Sequence, residues 1–151
     1  MRTILCIFFV LSLFSCTTQK KSSFETNKQH FDAPLIESNP VQLLVEQKCY
    51  SCHDPKSQSH ANIIAPPLAA IKKKYKKTYA SKELFVSKFS AFILNPTEKE
   101  TIGPTHKFGL MPKIILTTEE AKSIANYVYH TALPYPKWLP KHWEEKHEGK
   151  F

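Results

Sequence analysis

Glycine is nearly missing from this chain, with three in 151 residues. Tight hairpin turns need residues that tolerate positive φ, so this scarcity argues against a hairpin-rich β protein. Arginine is scarcer still: Arg2 stands alone, although the formal charge is +8 and lysine carries nearly all of it. A reader of nucleic acid normally uses arginine for bidentate contacts to bases and phosphates, so nucleic acid is not an expected partner. Long apolar runs are also lacking. The N-terminal one, Ile4 to Phe14, falls well short of the ~20 residues a membrane-spanning helix needs. What is present, 42% hydrophobic and 12% aromatic residues, suits one globular domain with a core, in a chain too short for two comfortable ones.

The segment MRTILCIFFVLSLFSC places a basic residue, an apolar run and small Ser15 before Cys16. That layout predicts a signal peptide over residues 1–15. Leu13-Phe14-Ser15-Cys16 resembles the lipobox of bacterial lipoproteins, although Phe14 is bulkier than that pattern usually carries. The resemblance implies that Cys16 is lipidated and that the protein is anchored to a membrane of the bacterial envelope, facing the periplasm. Cleavage at a nearby small residue, releasing a soluble protein, is the alternative. Residues 16–38 are polar and without sustained period, and read as a tether.

Beyond the tether the periodicity is helical. Asn39-Pro40 starts a helix carrying Val41, Leu44 and Val45, which runs to about Lys48. A short helix follows Pro66-Pro67, with Leu68, Ile71 and Tyr75 on one side. Ser81 caps a third, striped by Phe85, Phe89 and Phe92 and ended at Asn95-Pro96. The fourth opens on a capping box, Thr117 with Glu120, and carries Ala121, Ile124, Ala125 and Val128 at i, i+3, i+4 and i+7. Residues 134–151 form a tail in which Pro134, Pro136 and Pro140 forbid helix through Pro140, while Trp138 and Trp143 imply packing against the domain or a partner. No stretch reads as a strand, so the expected class is all-α, with a loop from Asn95 to Thr117.

The chemistry concentrates in CYSCH, residues 49–53. A structural zinc site needs four ligands, usually from a second cysteine pair or a histidine pair at short spacing, and none is present; His60, His106 and His130 are scattered. A redox dithiol would begin a helix after a strand, whereas this pair follows a helix. Attachment of haem uses all three residues: two thiols add to two vinyl groups, and the adjacent histidine ligates iron. Such a pentapeptide arises by chance in about one chain in two hundred of this composition.

With these pieces in order, residues 39–133 resemble class I c-type cytochromes. The features that carry the resemblance are a helix leading into CYSCH, the Pro-Pro-Leu at 66–68, the Gly-Leu-Met-Pro-Lys at 109–113, and a closing helix with Ile-Ala-Asn-Tyr-Val-Tyr at 124–129. The resemblance implies three to five helices around one covalently bound haem c, with Val41, Leu44 and Val45 meeting Ile124, Tyr127 and Val128. It further implies thioether bonds from Cys49 and Cys52, axial ligation of iron by His53 and Met111, and a Pro66 carbonyl that accepts the Nδ1–H of His53. His106, five residues before Met111, is the second candidate for the sixth ligand. His130, His142 and His147 are expected at the surface or in packing.

The function that follows is single-haem electron transfer in the cell envelope, as a free shuttle or as a subunit of a larger oxidoreductase, without catalysis by this chain itself. A haem-based gas sensor or haem enzyme with an open distal face is the alternative, and requires Met111 to be displaceable or a packing residue. The run KKKYKK at 72–77 reads either as a solvated helix face or as a docking patch for redox partner proteins with an acidic surface.

Overall fold

The computed structural model describes residues 39–103, 105–147 and 149–151. The signal segment, Cys16 and the tether lie outside the described residues. Six helices follow one another without strands among those residues: α1 (Pro40–Lys48), α2 (Leu68–Thr78), α3 (Lys82–Leu94), the single turn α4 (Thr105–Phe108), α5 (Thr118–His130) and α6 (Leu139–Lys146). Five of them fall between residues 40 and 130, as expected of the fold, and the sixth belongs to the tail. All described residues fall within one compact unit, Leu35–Phe151. No helix among them is long and apolar enough to cross a membrane.

Local chemistry sets the helix ends. The Asn39 side chain accepts the amide of Val41 at 2.9 Å, satisfying one of the donors a helix start leaves unpaired. Ser81 does the same for α3 through the amide of Leu84. At α5 the capping box is complete: Thr117 Oγ1 accepts from the Glu120 amide at 3.1 Å, and the Glu120 carboxylate accepts from the Thr117 amide at 2.7 Å.

Packing is organised around α5. Its inward stripe, Ala121, Ile124, Ala125 and Val128, is fully buried. α1 packs on it through Val45, with Leu44 against the same core. Val41 and Tyr127 share a shallow groove at the edge of that contact. The more extensive partner of α5 is α3, because the phenylalanine stripe supplies more apolar surface than the short α1 does. Phe85 and Phe89 stack with ring planes 5° apart, and Tyr75 meets both edge-on. Phe92, on the same stripe, is left half-buried on the wall of a cavity.

The tail departs from its expected irregularity. α6 starts at Leu139, so Pro140 falls in its first turn, where a helix loses no hydrogen bond to a missing N–H. Leu139 and Trp143, four residues apart, are buried against the rest of the core.

Candidate functional site

The turn after α1 gathers the CYSCH residues. The Cys49 carbonyl accepts from the amides of both Cys52 and His53, at 3.2 and 2.9 Å, and this wraps the pentapeptide into a tight loop. Both thiols are free; Cys49 is half-buried and Cys52 is exposed. Burial, and then the neighbouring Cys52, push the Cys49 thiol up to about 11. A redox dithiol needs the opposite, a thiol acidified by its surroundings. Nor do any three His, Cys, Asp or Glu side chains converge among the described residues, as a zinc site requires.

His53 points inward and is largely buried. Its Nδ1 lies 2.7 Å from the Pro66 carbonyl oxygen. A carbonyl can only accept, so Nδ1 carries the proton and Nε2 keeps its lone pair. Burial holds the imidazole below its ordinary pKa, against the smaller upward pull of the Pro66 hydrogen bond, and so keeps the ring neutral.

His53, Cys49 and Cys52 line a cavity of about 570 Å³, walled mainly by apolar side chains, among them Leu68, Ile71, Phe92 and Ile102. Met111 lies on the same cavity, as does His106. The approach to Met111 depends on Gly109, whose φ of 70° lies in the left-handed region that favours glycine. Its amide donates to the Thr105 carbonyl at 2.7 Å and closes α4 just before the methionine.

Another part of the wall was not foreseen. Trp138, His142, Trp143 and His147, all from the tail, line the cavity together with His60. Trp138 Nε1–H donates to the Ser57 carbonyl at 3.0 Å, which pins the tail to the loop after CYSCH. His142 stacks on His60 with ring centroids 3.9 Å apart, and Lys73 Nζ sits 5.1 Å above the Trp143 ring. Their one advance signal was the pair of tryptophans, which marked the tail as packed without saying on what.

The lysine run is also less free than its sequence suggests. Lys72 donates to the Thr131 carbonyl at 2.6 Å, Lys73 donates to the Lys150 carbonyl, and Lys76 lies over Tyr129 at 4.2 Å. Three of the five lysines are therefore committed to holding α5 and the tail.

The cavity volume lies in the range of about 300–1,000 Å³ that suits a bound organic group. Its chemistry suits one group in particular: two thiols at CxxC spacing, a neutral imidazole with a free nitrogen and a thioether sulfur, on apolar walls that would shield a macrocycle from water. These residues fit a haem c. No curated protein and no solved structure matched the chain. The family model for Cytochrome c matches residues 39–132, which spans the helix before CYSCH, the cavity lining from Lys48 to Ile114 and all of α5. The chain therefore belongs to the cytochrome c family, whose cofactor is covalently bound haem c.

Proposed function

We propose that the protein is a single-haem electron carrier in which His53 and Met111 would ligate the iron. One observation carries this reading: His53, with its Nδ1–H fixed on Pro66, and Met111, the sole methionine after Met1, line the same apolar cavity as the two thiols. When bound, haem supplies a one-electron iron couple, tuned by its axial ligands and by burial. Cys49 and Cys52 anchor the group through thioether bonds, so it survives repeated oxidation and reduction in place. Pro66 fixes the tautomer and orientation of His53 and keeps Nε2 available as a donor. Met111 would supply a soft sulfur ligand that favours the reduced metal, and the apolar walls would keep water away from it. Such a site exchanges electrons and leaves no coordination position for a substrate.

Residues 1–16 support a location in the bacterial cell envelope, lipid-anchored through Cys16 and facing the periplasm. The lysine excess supports redox partners with an acidic surface, met by weak, electrostatically steered encounters. Lys77, exposed on α2, is the outward member of the run.

The reading is tested by redox cycling of the haem-loaded chain with and without peroxide. A carrier shows one reversible one-electron wave and leaves peroxide unconsumed. Catalytic loss of peroxide would instead place the protein among haem enzymes with an accessible distal face.

A further inference from the structure

The tail is fastened to the domain near both of its ends. Close to its start, Trp138 donates to the Ser57 carbonyl. At its end, Lys73 donates to the Lys150 carbonyl and sits over the rings of Trp143 and Phe151. Between these pins Leu139 and Trp143 are buried, and both line the cavity. The tail is therefore a strap that supplies part of the cavity wall.

One further contact holds the strap, and its chemistry differs from the rest. His142 of α6 stacks on His60, from the loop after CYSCH, with ring centroids 3.9 Å apart and planes 25° apart. The Trp138 ring meets both imidazoles edge-on. Lys107 Nζ, from α4, lies 2.8 Å from Nε2 and 3.2 Å from Nδ1 of His60. An ammonium only donates, so it needs an unprotonated ring nitrogen, and the contact requires a neutral His60.

The charges around the pair are mostly positive. Lys107 of α4 faces both rings, and Lys146 acts on His142 from α6 itself. Among the described residues Glu145 is the carboxylate that acts on His142, and it is shared with Lys141. His147 follows at the end of α6, near Lys74 and Lys77 of α2. Protonating both stacked rings would set two cations at contact distance beside a lysine. Burial, and then the neighbouring cations, hold both rings below the ordinary histidine pKa, with Glu145 pulling His142 the other way.

We propose that residues 134–151 are a strap latched onto the cavity by the stacked, neutral rings of His60 and His142, and that protonation of the pair releases it. This rests on the haem-binding reading above and gives the pocket a proton-sensitive wall, built from a segment beyond the matched residues 39–132. The closed strap disfavours the charged rings, so closure is at full strength above the ordinary histidine pKa of ~6.5 and weakens as pH falls below it. Release takes Leu139 and Trp143 off the wall and opens the cavity to water on that side.

The test uses the full chain with haem attached. Its two tryptophans, Trp138 and Trp143, both lie on the strap. An attached haem quenches nearby indoles by energy transfer, so their emission reports the distance of the strap from the cofactor. Emission should rise reversibly as pH falls from about 8 to about 5, centred below ~6.5, while the visible haem spectrum stays constant. The double variant His60→Phe, His142→Phe keeps two flat rings without a proton site, and should stay quenched over the whole range. His142→Phe alone leaves one titrating ring and should give a shallower rise. Constant emission in the parent would overturn the proposal, as would a parent-like curve in the double variant. A haem spectrum that changes in step with emission would also overturn it, since the whole pocket would then be unfolding. A chain with no haem spectrum at any pH overturns the functional reading instead.

Discussion

At the scale of single residues, the account turns on four side chains with separable duties. On the proposed ligation, replacing Met111 by alanine would remove a ligand and leave both thioether bonds intact. The expected product keeps covalent haem and gains an open sixth position, so its reduced spectrum should shift on adding carbon monoxide. An unchanged distal coordination would return the sixth position to His106, which lies on the same cavity. The candidate attachment residues Cys49, Cys52 and His53 stand out in the sequence because the chemistry they would serve is local: two thiols and an imidazole within five positions. Pro66 was legible through its Pro-Pro-Leu setting, and the 2.7 Å contact to His53 Nδ1 places it where that reading needs it. His60 and His142 were not. Their stacking joins segments far apart in the chain, and nothing in the local pattern of either announces the other.

At the scale of elements, helix boundaries followed from short-range chemistry that sequence displays openly. Thr117→Ala should remove half of the capping box and cost about 1 kcal/mol, read as a lower denaturation midpoint of the haem-loaded chain. Phe85→Ala should cost more, about 3–5 kcal/mol, because that ring is fully buried between Tyr75, Phe89 and Tyr129. A smaller loss for Phe85 than for Thr117 would contradict the packing described here. The weight of the α3–α5 contact over α1–α5 was less legible, since periodicity shows which face is apolar and not which neighbour it meets. α6 was hidden for a different reason. Three prolines in seven residues read as helix breakers, yet the last of them sits in the first turn of a helix.

At the scale of the whole molecule, the cavity and the charge set the behaviour. Without its group the apolar lining of the cavity, from Leu68 and Ile71 to Phe92 and Ile102, loses the surface it would pack against. The double variant Cys49→Ser, Cys52→Ser, which cannot form thioether bonds, should therefore lose most of its helical circular dichroism when haem is withheld. Native-like helicity in that variant would mean that the core closes without its cofactor. Formal charge of +8 predicts that electron transfer to an acidic partner slows as salt rises from low to physiological ionic strength, measured by stopped flow. The charge excess was plain in the sequence, but its distribution was not. Three lysines of the KKKYKK run are turned to internal contacts, which only the fold reveals.

The measurement that bears most directly on the central claim is the visible spectrum of the reduced full chain, produced with haem-attachment machinery, before and after carbon monoxide. Haem held by two thioether bonds and closed by His53 and Met111 predicts a c-type spectrum that the gas leaves unchanged. A spectrum that shifts with carbon monoxide, or a chain that carries no haem, would contradict it.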